Sequence, residues 1–116
     1  MNKNSTDDKL KDICIRYFSN FSKKDLSKLK NDFSEDIILR DWEIEENGLE
    51  SVIRVISAIF EKNYSINIKI INLIRESHQV VAEIEILINE EELIKVVDII
   101  KFNNKNKIYS ITAYKG

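Results

Sequence analysis

Two aspartates stand where the surrounding pattern calls for apolar side chains. In Lys95-Val96-Val97-Asp98-Ile99-Ile100-Lys101-Phe102, a period of two puts Asp98 on the face of Val96, Ile100 and Phe102, with Lys95 and Lys101 on the other. In Ile37-Ile38-Leu39-Arg40-Asp41-Trp42, the same period puts Asp41 with Ile37 and Leu39. Burying an ionised carboxylate without partners is so unfavourable that the group usually takes up a proton instead. Each aspartate is therefore exposed after all, paired with a cation, or placed for chemistry that needs a carboxyl group there. A lysine on a neighbouring strand would pair Asp98, and Arg40 or another cation at a strand end would pair Asp41.

The other chemically capable residues have simpler readings. Tyr17, taken alone, is a core residue whose hydroxyl reaches a polar neighbour. His78 falls in a break between strands, where a solvated turn residue is expected. No serine sits in a strand–turn–helix elbow. Cys14 reads as a small buried hydrophobe. Trp42 is either a pocket wall or part of a dimer interface. Glu43-Glu45-Glu46 and Glu90-Glu91-Glu92 lack the spaced oxygen ligands and glycine of a calcium loop, so they read as solvated charge.

Composition narrows the classes. The chain has 116 residues, enough for one core and one domain over 1–116, with residues 1–6 expected to be a flexible N-terminus. Eighteen basic and 20 acidic side chains nearly cancel, and the lysines form no aromatic-interleaved stripe, so nucleic acid is not expected. One cysteine excludes an internal disulfide framework and fits a reducing, cytoplasmic compartment; with one histidine it leaves too few soft ligands for zinc, and no metal is expected. Two glycines and no proline exclude Gly-rich phosphate cradles and Pro-rich architectures. No apolar run is long enough to cross a membrane, and the polar Met1 to Leu10 lacks a secretory pattern.

The elements that must position the aspartates follow from periodicity. Ser5 and Thr6 are capping candidates, with Asp7 and Asp8 suited to the positive end of a helix. Leu10, Ile13, Tyr17 and Phe21, flanked by Cys14 and Phe18, make an amphipathic stripe. A second short helix is predicted over Lys24 to Phe33, a strand over Ile37 to Ile44, and a third helix over Leu49 to Lys62 after Asn47-Gly48. Strands follow at Ile66 to Ile74, Val80 to Ile88, Leu93 to Phe102 and Ile108 to Tyr114, with breaks short enough for antiparallel hairpins. Helices segregated from an antiparallel sheet make the chain α+β.

Several short motifs then add up to a resemblance. Arg16-Tyr17-Phe18, Lys24-Asp25-Leu26, Phe33-Ser34-Glu35-Asp36-Ile37 and the closing Lys107-Ile108-Tyr109-Ser110-Ile111 are similar to those of SnoaL-like proteins of the nuclear transport factor 2-like superfamily. The superfamily includes bacterial ketosteroid isomerases. The resemblance implies a cone-shaped curved antiparallel sheet packed against three helices from the N-terminal half, a cystatin-like arrangement with an internal cavity. It also implies a homodimer through the sheet.

Carried over residue by residue, the resemblance puts an oxyanion-donating tyrosine at Tyr17, the proton-shuttling base at Asp41 and a protonated donor acid at Asp98. The resemblance thus implies two carboxyl groups tuned by their surroundings to different tasks, as in ketosteroid isomerases. A small apolar carbonyl-containing ligand is implied, with no cofactor. Ile13, Phe21, Leu39, Trp42, Val96, Ile100 and Phe102 are expected to line the pocket. Two departures stand out: Trp42 occupies a position where the isomerases tend to have proline, and bulky Phe18 and Phe21 either shrink the cavity or face away. The alternatives are a non-catalytic ligand-binding or dimerisation module, and a cone-fold cyclase or dehydratase.

Overall fold

A computed structural model of the chain describes residues 8–116. The expected flexible segment and the capping candidates Ser5 and Thr6 lie outside the described residues. Helix α1 spans Lys9–Ser22, and Asp8 is its N-cap, accepting a 3.3 Å hydrogen bond from the Lys11 N–H. Its buried stripe of Leu10, Ile13, Cys14, Tyr17 and Phe18 follows the apolar spacing of the sequence. Helix α2 is Leu26–Asp32, capped by Asp25, and α3 is Leu49–Lys62.

The strands are β1 (Phe33–Arg40), β2 (Glu45–Asn47), β3 (Ile66–Glu76), β4 (Gln79–Ile88), β5 (Glu92–Phe102) and β6 (Ile108–Lys115). They form one curved, unclosed sheet in the order β2-β1-β6-β5-β4-β3, with the three helices beside it, so the class is α+β. Strands β3 to β6 are consecutive antiparallel neighbours, as their short connections require.

The antiparallel expectation needs one correction: β1 pairs with β6 in parallel, which makes the sheet mixed. That contact joins segments about 70 residues apart in sequence, and connection length carries no information about it. The first strand also starts earlier and ends earlier than Ile37 to Ile44. Phe33 leaves the second helix to pair with Ile108, and the register shift between Phe33 and Ile38 absorbs polar Ser34-Glu35-Asp36. At the other end Asp41 turns the chain, and β2 returns antiparallel with Arg40 opposite Glu45. Glu45-Glu46-Asn47 has no apolar alternation, so periodicity had nothing to detect.

The core lies between helices and sheet, with Leu29, Ile37, Val52, Ile56, Val80, Ile100 and Ile108 fully buried. Arg16 clamps this arrangement. Its Nε and Nη2 donate to the two oxygens of Asp32 at 2.9 and 2.6 Å, a bidentate pair tying α1 to the residue that precedes β1. Tyr17 is the next residue on α1, so the clamp fixes the helix that presents it.

Candidate active site

Between the helices and the concave side of the sheet lies a cavity of about 160 Å³. Its walls are almost wholly apolar: Phe18 and Phe21 from α1, Ile56 and Ile59 from α3, Ile84 and Ile86 from β4, Val96 from β5, and Ile111 and Ala113 from β6. Three polar side chains also border it. They are Tyr17 from α1, Asp98 from the middle of β5, and Asp41 from the turn after β1.

Asp98 is 6% exposed and shares the inner face of β5 with buried Val96, Ile100 and Phe102. Its neighbours across the sheet are Ala82 on β4 and Ala113 on β6, whose small side chains leave its carboxyl group room. None of the ion pairs among the described residues, Arg16–Asp32, Lys28–Asp25 and Arg75–Asp8, involves Asp98 or Asp41. Burial, and secondarily the charge of Asp41, pushes the Asp98 carboxyl up to about 7.

Burial and the nearby Asp98 charge raise Tyr17 well above the usual phenol range, so its hydroxyl keeps its proton. The Cys14 thiol is pushed up to about 12, chiefly by burial and next by Asp98, and stays an inert neutral neighbour.

Asp41 lies just beyond β1 and is half-buried. Its Oδ1 accepts from the backbone N–H groups of Glu43 and Ile44, both at 2.7 Å, while its own N–H donates to the Ile44 carbonyl at 2.9 Å. This is the turn chemistry of an aspartate that organises its own loop. Oδ1 is thus held by the turn, which fixes the carboxylate's orientation and leaves the second oxygen without a hydrogen bond to the described residues. Trp42 lines the cavity while remaining 42% exposed, and Lys115 Nζ sits 5.6 Å from its ring centroid.

Of the expected lining residues, Phe21, Leu39, Trp42 and Val96 border the cavity. Ile13, Ile100 and Phe102 do not; they are buried in the hydrophobic core. Sequence reasoning passed over Ile56, Ile59, Ile86 and Ala113. Ala113 had a signal, since it follows Ile111 by two residues and so shares its inward face. Phe18 and Phe21 both face the cavity, which settles their orientation. His78 is exposed in the β3–β4 turn.

No family model and no curated protein matches the sequence. Solved structures do match its shape. A nuclear transport factor 2-like protein of unknown function from Cytophaga hutchinsonii superposes with a TM-score of 0.80 at 13% identity, over 100% of this chain and 95% of that one. A SnoaL-like protein of unknown function from Burkholderia thailandensis gives 0.79 at 9% identity, over 92% and 93%. The epoxide hydrolase/cyclase-like enzyme of pyran ring formation in the polyether salinomycin gives 0.81 at 17% identity, over 93% and 91%. At such identities the likeness speaks for the fold alone, and it extends over nearly the whole chain. The chain has the nuclear transport factor 2-like fold of the SnoaL-like proteins.

Proposed function

We propose that this protein is an isomerase of the ketosteroid isomerase type, moving a proton next to the carbonyl of a small apolar ligand. The observation that carries the reading is the convergence of Tyr17, Asp41 and Asp98, from three separate elements, on one otherwise apolar cavity. The Asp41 carboxylate removes a proton from the carbon next to the carbonyl, and the released electron pair moves onto the carbonyl oxygen as a dienolate forms. The same carboxyl returns the proton further along the conjugated system, so the ligand is isomerised without net gain or loss. Tyr17 and protonated Asp98 donate to the oxygen as its charge develops, each worth about 3–4 kcal/mol in a dry, preorganised site. The raised Asp98 carboxyl suits that donor role at and below neutral pH.

One observation favours a second reading, a catalytically silent ligand-binding module. The turn already uses Asp41 Oδ1, so a structural job accounts for the residue without chemistry. Turnover separates the two. A panel of β,γ-unsaturated ketones, followed by the absorbance of the conjugated product, should include compounds the wild-type protein isomerises. Tyr17→Phe should then lower kcat about 10²–10³-fold, as loss of one oxyanion donor does elsewhere. No turnover anywhere in the panel supports the silent module; a cyclase or dehydratase on the same fold would act on other substrates.

The proposal extends to assembly and compartment. Val97 and Tyr114 are paired across β5 and β6, exposed on the side away from the cavity, with exposed Ile71 near them on β3. These side chains favour a homodimer through the sheet, and Tyr114→Glu should turn a dimer into a monomer in sedimentation experiments. The free, buried thiol of Cys14 suits a reducing compartment such as the cytoplasm.

A further inference from the structure

We infer that the ligand of this cavity is a carbonyl compound of single-ring size. The inference rests on the proton-transfer reading and narrows its substrate class. The cavity measures about 160 Å³. An apolar protein cavity of about 150 Å³ accepts benzene, whereas pockets for larger organic ligands begin near 300 Å³. One ring with its carbonyl oxygen fits the first case, whereas four fused rings would have to leave most of their surface outside the cavity, past the exposed Trp42 at its mouth.

The aromatic residues of α1 set this limit. Phe18 and Phe21 both face the cavity, so the helix fills space that smaller side chains would leave open. Neither ring is loose. Phe21 meets Phe60 edge-on with ring centroids 5.0 Å apart and Tyr17 at 5.9 Å, and Tyr17 meets Phe18 at 5.1 Å. A ligand that pushed Phe21 aside would disturb α3 through Phe60 and the oxyanion donor Tyr17 together. Ile84, Ile86 and Val96 bound the cavity from the sheet, and moving them means moving paired strands. Close-packed walls of this kind resist even small increases in contained volume.

Binding tests the size limit without requiring catalysis. Phenol, 2-naphthol and estradiol each present one phenolic hydroxyl, on one, two and four rings, estradiol carrying a second, aliphatic hydroxyl at its far end. Trp42 is the sole tryptophan and borders the cavity, so its fluorescence reports occupancy. Phenol should bind at least about tenfold more tightly than estradiol, against the general trend that more apolar surface binds better. Ile86→Ala, and independently Phe21→Leu, should shift the preference toward 2-naphthol by about tenfold, and two variants on different elements guard against a folding defect in one. Estradiol binding as tightly as phenol, or no phenol binding, overturns the inference. Steroid binding accompanied by steroid turnover overturns it while leaving the proton-transfer reading intact. Phenol preference without ketone turnover supports the size limit and counts against proton transfer.

Discussion

Asp41→Asn is expected to lower kcat for an isomerised ketone by about 10²–10⁴-fold while KM changes only a few-fold. The substitution is informative because of the turn in which Asp41 sits. Its Oδ1 accepts from Glu43 and Ile44, and an asparagine oxygen accepts the same two bonds. The loop between β1 and β2 should therefore keep its shape, and thermal unfolding should move little. What disappears is the ability to take up a proton.

A second consequence separates this variant from a merely local defect. The charge of Asp41 is the lesser of the two causes that raise Asp98, after burial. Removing it should move the Asp98 titration downward, visible by carboxyl-carbon NMR. Turnover that survives the substitution removes Asp41 from the mechanism, whatever happens to Asp98.

The sequence and the structure agree where local pattern controls the outcome. In β4 Ala82, Ile84, Ile86 and Ile88 alternate with Glu83 and Glu85, and all four turn inward: Ala82 and Ile84 are buried, and Ile86 and Ile88 are half-buried along the cavity. The same alternation marked Asp98 as misplaced among apolar neighbours, and it is buried there. Asp41 was legible as a residue but not as a structural position. The strand expected to run on to Ile44 ends at Arg40, just before it, because side-chain bonding to the turn competes with continued pairing. The parallel β1–β6 pair and the wall residues of α3 depend on contacts distant in sequence, which periodicity does not encode. Ile13 and Phe21 belong to one amphipathic stripe, yet only Phe21 reaches the cavity. A stripe predicts burial and leaves open whether the buried side chain meets a void or another side chain.

Asp98 should make the wild-type protein lose stability as pH rises from about 4 to about 7. A carboxyl held near 7 in the native state, against about 4 in the unfolded chain, keeps its proton longer when folded. Over that interval the native state binds more protons, so raising the pH favours unfolding; below it both states are protonated, and above it both are ionised. The integrated loss is about 4 kcal/mol, a large part of the 5–15 kcal/mol typical of a domain. Urea denaturation at several pH values should show this slope in the wild-type protein and not in Asp98→Asn, which should be the more stable of the two above neutrality. Parallel curves for the two proteins would mean that Asp98 titrates in the ordinary carboxylate range and is no neutral donor. Activity should follow the same ionisation, with kcat falling above about 7 as the donor becomes a negative charge facing the developing oxyanion. Because an asparagine amide still donates and does not ionise there, Asp98→Asn should remove that alkaline fall while lowering the plateau. Greater stability with poorer catalysis in the same variant would identify a carboxyl group retained for its acidity rather than its packing.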